Sequence, residues 1–168
     1  MRLPAKSAAK IGERVVHFVV APDVGRHEIR VPGFEYFILV TVIDAAQAND
    51  RKSVKAFIES ALASGARSIV SAGETAEELE SLFDSEIIAS GLEGDADSVI
   101  TTISEGREPL DEVLWDSIYV ASLGARWQEN DKSAVVFVFI EGDPRIKEFE
   151  AMAVDLESTL RRVEDRTP

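Results

Sequence analysis

Four acidic residues stand where four predicted strands end, and they are the side chains of this sequence best placed for chemistry. They are Asp44, Glu74, Glu105 and Asp143. Ligands of open α/β sheets bind beyond the carboxyl ends of the strands, and carboxylate oxygens that converge there can hold Mg²⁺. The pattern therefore admits a small-ligand, nucleotide or Mg-dependent enzyme. Each acid also has a structural alternative, as a helix cap or as a water-facing residue.

The signatures of most other chemistries are missing from the sequence. There is no cysteine, which excludes thiol nucleophiles, thiolate metal sites and disulfides. The phosphate-binding motifs G-x-x-x-x-G-K-[ST] and G-x-G-x-x-G are both absent. The G-x-S-x-G motif of serine hydrolases is absent as well. The two histidines, His17 and His27, both lie in the N-terminal region and are predicted to be structural or exposed. No cofactor or metal is therefore predicted, and the balance leans against an enzyme.

The charge of the chain is concentrated in one segment. Residues 74–116 hold 14 Asp and Glu but one basic residue, Arg107, so this segment carries −13, the net charge of the whole chain. Two interpretations remain open: a solvating surface, or a docking surface for a basic protein partner. A field of this sign repels phosphate backbones, so no nucleic acid is predicted as a partner.

Eight side chains are the candidates for contact with such a partner. They are Glu77, Glu80, Asp84, Glu93, Asp95, Asp97, Trp115 and Trp127. Trp and Tyr are favoured at interfaces, although Trp115 and Tyr119 could instead widen the core face of their helix. Trp127 lies in the polar stretch ARWQENDK, and the pattern predicts an exposed ring there.

Strand and helix patterns alternate from residue 36 onward and position these residues. Apolar runs at 36–44, 67–73, 97–104 and 133–142 predict strands, and segments with helical spacing follow each of them. Such alternation predicts an α/β fold with an open, mainly parallel sheet of about four strands and helices on both faces. The 1–168 chain is expected to be one domain, with an N-terminal β extension (1–33), an α/β core (34–163) and a frayed tail (164–168).

Local signals predict how these elements begin and end. Asn49 or Asp50 is expected to cap the first helix, and a Thr75–Glu78 capping box the second. Asp143 is expected to cap one long last helix that reaches Val163. The N-terminal pieces ERVVHFVVAPD and HEIRVPG, on either side of a Pro-Asp-Val-Gly turn, are expected to form a hairpin or an edge strand.

No apolar run approaches the roughly 18 residues of a membrane helix, and the N-terminus lacks the pattern of a signal peptide. We therefore expect no membrane partner and a cytoplasmic location.

The central part of the chain resembles a bacterial family of small α/β domains of unknown function. Three segments carry the resemblance: GARSIVSAGETAEELESLFDS, VITTISEGREPLDEVLWDSIYVA and SAVVFVFIEGD. The matching positions are Gly65, Arg67, Gly73, Thr101, Thr102, Glu108, Leu110, Leu114 and Trp115, and the likeness spans about residues 36–143. Ile103 stands where the family often has Trp. The resemblance implies no activity, but it implies that an acidic loop before the Trp helix is a family trait.

The leading functional hypothesis is a non-catalytic interaction protein that docks a basic partner, as an immunity protein or an inhibitor would. The strand-end enzyme is the alternative. A third is a structural homo-oligomer built on Trp115 or on the N-terminal hairpin edge, so a monomer and a homodimer both remain open.

Overall fold

The computed structural model describes residues 1–48, 50–94, 100–128 and 132–166. Its strands are β1 (Arg2–Pro4), β2 (Lys6–Ile11), β3 (Arg14–Ala21), β4 (Glu28–Arg30), β5 (Phe37–Val42), β6 (Ala66–Ala72), β7 (Thr101–Gly106) and β8 (Ser133–Ile140). Its helices are α1 (Arg51–Ser64), α2 (Ala76–Ala89), α3 (Leu110–Tyr119), α4 (Arg145–Val154) and α5 (Leu156–Arg166), with a 3₁₀ turn at Ala125–Trp127.

Six of the strands form one mostly parallel sheet in the order β2-β3-β8-β5-β6-β7. Only β2 is antiparallel to its neighbour, whereas β1 and β4 form a separate parallel pair. The predicted α/β class is confirmed, and the four predicted strands correspond to β5, β6, β7 and β8. The first part of the 97–104 prediction, residues 97–99, lies outside the described residues.

The expected pairing of the two N-terminal pieces as a hairpin is wrong, and the first piece, which forms β3, is not an edge strand. Strand β3 pairs with β2 and, in parallel, with β8 along its whole length, from Arg14 opposite Ser133 to Ala21 opposite Ile140. Strand β4 pairs with β1 instead. The continuous apolar run of β3 suits a position between two strands, so the sheet has six strands rather than about four.

Alternate side chains of each central strand enter different hydrophobic clusters. Leu39 of β5 packs in a first cluster with α1 and α2, whereas Ile38 and Val40 pack in a second with α3, α4 and α5. Successive side chains of a strand point to opposite faces. The two clusters therefore lie on opposite sides of β5, and burial on both sides explains why β5 and β8 are apolar throughout.

The predicted cap of α1 is confirmed, whereas the predicted cap of α2 is not. Asp50 caps α1 as expected, since its Oδ1 accepts the Ser53 N–H at 2.7 Å. The predicted Thr75–Glu78 capping box is wrong, because the Thr75 hydroxyl makes no cap bond and instead donates to the Ile43 carbonyl at 2.6 Å. That bond fastens the start of α2 to the end of β5.

The long last helix is also wrong, because the chain breaks at Asp155 (φ −131°, ψ 60°) into α4 and α5. The break lets Phe149 of α4 and Leu160 of α5 both pack in the second cluster. Pro144 occupies the N-cap position of α4, and the Asp143 carboxylate accepts the Arg145 N–H at 2.9 Å. Asp143 thus stabilises the first turn from one residue before the cap.

Candidate functional site

The strand order places a topological switch point beside β5. From β5 the chain adds β6 and then β7 on one side, and it then returns to place β8 on the other side of β5. Open α/β sheets form their ligand crevices at such a point, beyond the carboxyl ends of the strands. Asp44 follows β5 and Asp143 follows β8, so two of the four predicted strand-end acids lie at this position.

Arg145 joins these two acids. Its Nη2 lies 2.6 Å from Oδ2 of Asp143 and 2.9 Å from Oδ2 of Asp44, and its Nε donates to Oδ1 of Asp143 at 2.9 Å. Gln47 completes the group by donating from Nε2 to Asp143 Oδ2 at 2.7 Å and accepting the Asp44 N–H at 2.8 Å. The Asp143 side chain is fully buried.

The electrostatics of this group are dominated by the ion pair. Burial opposes ionisation of Asp143, but hydrogen bonds from Arg145 and Gln47 outweigh it, so the pKa of Asp143 lies below its ordinary value. The hydrogen bond to Asp143 likewise raises the pKa of Arg145. Both groups are therefore charged, and a guanidinium occupies the position between Asp44 and Asp143 that a metal ion would need.

The other two strand-end acids do not join this group as ligands. The Glu74 carboxylate is exposed, and Glu74 contributes its backbone N–H, which donates to Asp44 Oδ1 at 3.1 Å. Glu105 faces Asp116 of α3 instead. Of the three acids that the enzyme alternative would use, Asp44 and Asp143 therefore lie together, and Glu105 does not join them. Within residues 1–48, 50–94, 100–128 and 132–166, no group of three or more His, Asp or Glu side chains is arranged to hold a metal ion.

A crevice of about 540 Å³ opens beside this group. Its walls come from the ends of β5 and β6, the turns after β6 and β7, and the first turns of α3 and α4. Gly73 has φ +94°, and a Cβ there would lie 2.8 Å from Asp44 Oδ1 and 2.9 Å from the Ile43 carbonyl. Only glycine fits this wall without displacing Asp44.

The acidic segment places carboxylates on both sides of β7, which is an edge strand of the sheet. On one side, Glu77, Glu80 and Asp84 share one stripe of α2 at spacings of three and four residues. Asp84 accepts the Thr102 hydroxyl of β7 at 2.7 Å, so this stripe borders the edge strand.

The other side of the edge strand carries a second group of acids. Glu105 of β7 meets Asp116 of α3, and Glu112 precedes Asp116 by one helical turn. We call the six residues Glu77, Glu80, Asp84, Glu105, Glu112 and Asp116 the acidic face.

Few of these charges are neutralised. Residues 74–94 and 100–116 contain twelve carboxylates. Among the described residues, only Asp111 and Glu112 of this set form an ion pair, and both pair with Arg166, at 2.8 and 3.8 Å. Of the remaining predicted contact acids, Glu93 is exposed, and Asp95 and Asp97 lie outside the described residues.

Glu105 shows the effect of this crowding. Burial, a hydrogen bond with the Asp116 carboxyl group, and repulsion from Asp116, Glu108 and Glu112 raise the pKa of Glu105 to about 8. Glu105 is therefore largely protonated at neutral pH, and its carboxyl group is hydrogen-bonded to Asp116.

A stability test follows from this pair. A carboxyl group whose pKa is raised in the folded state gives stability that is fully present below its unfolded pKa and is lost as the pH rises through about 8. We therefore expect the urea midpoint of the protein to fall between pH 6 and pH 9, and Glu105→Gln to reduce that fall. Glu77→Gln, which removes an exposed carboxylate of α2, is the control. Equal pH dependence in Glu105→Gln and the parent protein would contradict the assignment.

The two tryptophans have different environments. Trp115 is partly buried against the second cluster, and its Nε1 donates to Glu164 at 3.3 Å. Trp127 is 7% exposed, which corrects the expectation of an exposed ring. It packs edge-on against Tyr36 with ring centroids 4.9 Å apart, and the Arg67 guanidinium lies 4.9 Å from its ring centre.

Both histidines are buried, at 4% exposure for His17 and 7% for His27. His27 Nε2 lies 2.9 Å from Asp23 Oδ1 in the N-terminal region. His17 lies in the middle of β3, where burial lowers its pKa. Neither lines the crevice at the switch point.

Sequence reasoning missed Arg145 and Gln47. Arg145 follows the predicted cap Asp143 by two residues, which was a usable signal for a local ion pair. Its contact with Asp44, 101 positions away, could not be predicted without the strand order.

A family model matches most of the chain. The model of the family described as Domain of unknown function (DUF7684) matches residues 20–155. The chain belongs to this family. The expected membership of an uncharacterised α/β family is thus confirmed. The DUF7684 span includes the whole crevice and the acidic face but not β1, β2 or α5.

No curated protein matches the chain. No solved structure matches it. Across the described ranges, no helix has the length and apolar character to cross a bilayer.

Proposed function

We propose that this member of the DUF7684 family is a non-catalytic binding protein that docks a basic protein partner on its acidic face. One observation carries the proposal: carboxylates line both sides of the edge strand β7, and in the described part of the chain Arg166 is the one cation that pairs with any of them. Uncompensated like charge opposes folding, and a cationic partner would relieve that repulsion.

The arrangement also suits recognition rather than solubility alone. A solubilising coat needs no particular geometry, whereas these acids form stripes on α2 and α3 at helical spacing around one strand edge. Half-buried Glu80 is less hydrated than a fully exposed acid, so charge pairing with a partner is stronger there. An immunity protein or inhibitor directed against a basic enzyme is the form we favour, with a cytoplasmic location.

The first test is capture of a partner from the native lysate, followed by affinity measurements against salt. We expect a basic protein at a fixed stoichiometry that is released as the salt concentration rises. The combined variant Glu77→Gln, Glu80→Gln, Asp84→Asn and Glu112→Gln should weaken binding at low salt by about tenfold or more, since each exposed pair is worth about 0.2–1 kcal/mol. It should also flatten the salt dependence.

The control neutralises four exposed acids outside the segment: Glu13, Glu141, Glu150 and Glu157, each changed to Gln. This variant has the same net charge as the first. If it lost as much affinity, net charge rather than the acidic face would account for binding. If the acidic-face variant retained both affinity and salt dependence, the proposal would be wrong.

A further inference from the structure

The crevice at the switch point has the size and position of a ligand site. Its volume of about 540 Å³ lies inside the range of roughly 300–1,000 Å³ of small-molecule pockets. It stands beyond the carboxyl ends of β5 and β6, beside the point where the strand order reverses. None of the acidic-face residues lines it, and the two regions meet where Glu112 hydrogen-bonds to Glu108 of the crevice wall.

The charges around the crevice favour a cation. Glu74, Glu108 and Glu148 line it with exposed carboxylates. Arg145 also lines it, but its charge is taken by Asp143 and Asp44. Arg107 is then the remaining positive side chain of the wall, against three carboxylates.

The same crevice is less suited to an anion. The Glu74 N–H at the start of α2 already donates to Asp44, and the Gly73 N–H donates to the Gly106 carbonyl at 2.8 Å. These two N–H groups are therefore not free to bind a phosphate at this turn.

The buried residues that line the crevice are apolar. Val42 and Ala72 come from the ends of the strands, and Leu110 and Val113 from the first turn of α3. Buried apolar side chains and exposed carboxylates in one crevice fit a chain of methylene groups that ends in a positive charge, because such side chains bury the stem and keep the charged end in water.

We propose that the crevice binds a primary ammonium or guanidinium group carried on an aliphatic stem. The stem lies on Val42, Leu110 and Val113, and the cation meets Glu108 and Glu148. Two sources have this chemistry: a free polyamine or guanidino compound, and a Lys or Arg side chain of a protein. The second source rests on the proposed function, because it makes the crevice an anchor point beside the acidic face.

The test is titration of the protein with agmatine and with N-acetyl-arginine amide, followed by methyl NMR shifts. We expect saturable shifts at Val42, Leu110 and Val113 with both probes. Tighter binding of agmatine indicates a free amine ligand, and tighter binding of the arginine amide indicates a side chain of a partner. Absence of saturable shifts, or equal shifts with pentanol, which has a similar stem and no charge, would overturn the proposal.

Three variants test the recognition itself. Glu148→Gln with Glu108→Gln should weaken agmatine about fivefold, whereas Arg107→Gln should tighten it about twofold. Glu150→Gln, an exposed acid on the same helix that does not line the crevice, is the matched control and should change nothing. Identical affinities in all four proteins would contradict the assignment of the cation to these carboxylates.

Failure of this proposal can be told apart from failure of the proposed function. Glu112 is left unchanged in this comparison, because it hydrogen-bonds to Glu108 of the crevice. The variant with only the three changes on α2, Glu77→Gln, Glu80→Gln and Asp84→Asn, touches no crevice residue, so it should bind agmatine as the parent protein does. Loss of partner binding with retention of agmatine supports both assignments. Retained partner binding in that variant refutes docking on the acidic face and leaves the crevice unaffected.

Discussion

Arg145→Met is expected to lower the free energy of unfolding by about 3 kcal/mol at pH 7, because removal of one partner leaves a buried charge without compensation. The Asp143 side chain is fully buried, and Arg145 donates two side-chain hydrogen bonds to it, at 2.6 and 2.9 Å. After the change, Asp143 retains the Gln47 amide and a backbone N–H. Methionine preserves much of the stem volume, so the loss reports on charge rather than on packing. Urea unfolding followed by tryptophan fluorescence measures it.

The pH dependence of this variant separates charge from packing. In the parent protein the pKa of Asp143 is lowered, so its contribution is present above the unfolded value of about 3.9 and is lost as the pH falls through the folded value. In Arg145→Met, the hydrogen bonds from Arg145 no longer offset the effect of burial, so the pKa of Asp143 should rise. Its penalty then grows as the pH rises, so the difference between the two proteins should narrow from pH 7 toward pH 4.

A second substitution supplies the control for that experiment. Asp143→Asn in the Arg145→Met background removes the buried charge and should recover part of the lost stability at pH 7. A difference below 1 kcal/mol between Arg145→Met and the parent, or an equal difference at pH 7 and pH 4.5, would contradict the account of Asp143 as a charge held by Arg145.

The sequence predicted those parts of the fold that depend on local patterns. Apolar runs of β5, β6 and β8 identify buried strands without knowledge of their neighbours, and Asp50 caps its helix through a bond to Ser53, three residues away. Strand β2 (KSAAKI) was not predicted, because its hydrophobic pattern is weak. Its strand conformation depends on its backbone pairing with β3. The place of β3 beside β8 depends on contacts more than 100 residues apart, which no local pattern encodes.

The candidate site also has a part that could be predicted from the sequence and a part that could not. The strand-end acids were predicted because the carboxyl ends of parallel strands lie at the same end of the sheet. Asp44 and Asp143 do meet there. Which cation joins them depends on the strand order, so Arg145 was not predicted and a metal site was entertained instead. The acidic segment was visible in the sequence as charge, but its division into two stripes around β7 required the packing of α2 and α3 against the sheet edge.

Trp127 shows how a polar neighbourhood misleads. Its neighbours in the sequence are charged or polar, and they predicted an exposed ring. Burial comes from distant residues, since Tyr36 packs against its edge and Arg67 lies above its face. The Arg67 guanidinium lies over both rings, and its Nη1 donates to the Leu62 and Ala66 carbonyls at 2.7 and 2.8 Å. Burial lowers the pKa of Arg67 because it disfavours the charged guanidinium. The contacts with the two aromatic rings stabilise that charge.

Trp127→Ala is therefore expected to reduce the free energy of unfolding by about 3–5 kcal/mol, as for other buried large aromatic residues. The substitution opens a cavity in the second cluster and removes one of the two aromatic faces that contact the Arg67 guanidinium, worth about 1 kcal/mol or more when desolvated. Trp127→Phe should lose less, because it keeps an aromatic face. Trp115→Ala is the matched control, and its loss should be smaller because that ring is only partly buried.

Urea unfolding by circular dichroism measures all three variants, since each removes a fluorophore. Binding to the captured partner, measured on the fraction that remains folded, completes the comparison. A buried Trp127 predicts a large loss of stability with unchanged affinity in the folded protein. A ring that served as a contact would give the reverse, with stability retained and affinity lost, and that result would restore the surface role that the polar neighbourhood first indicated.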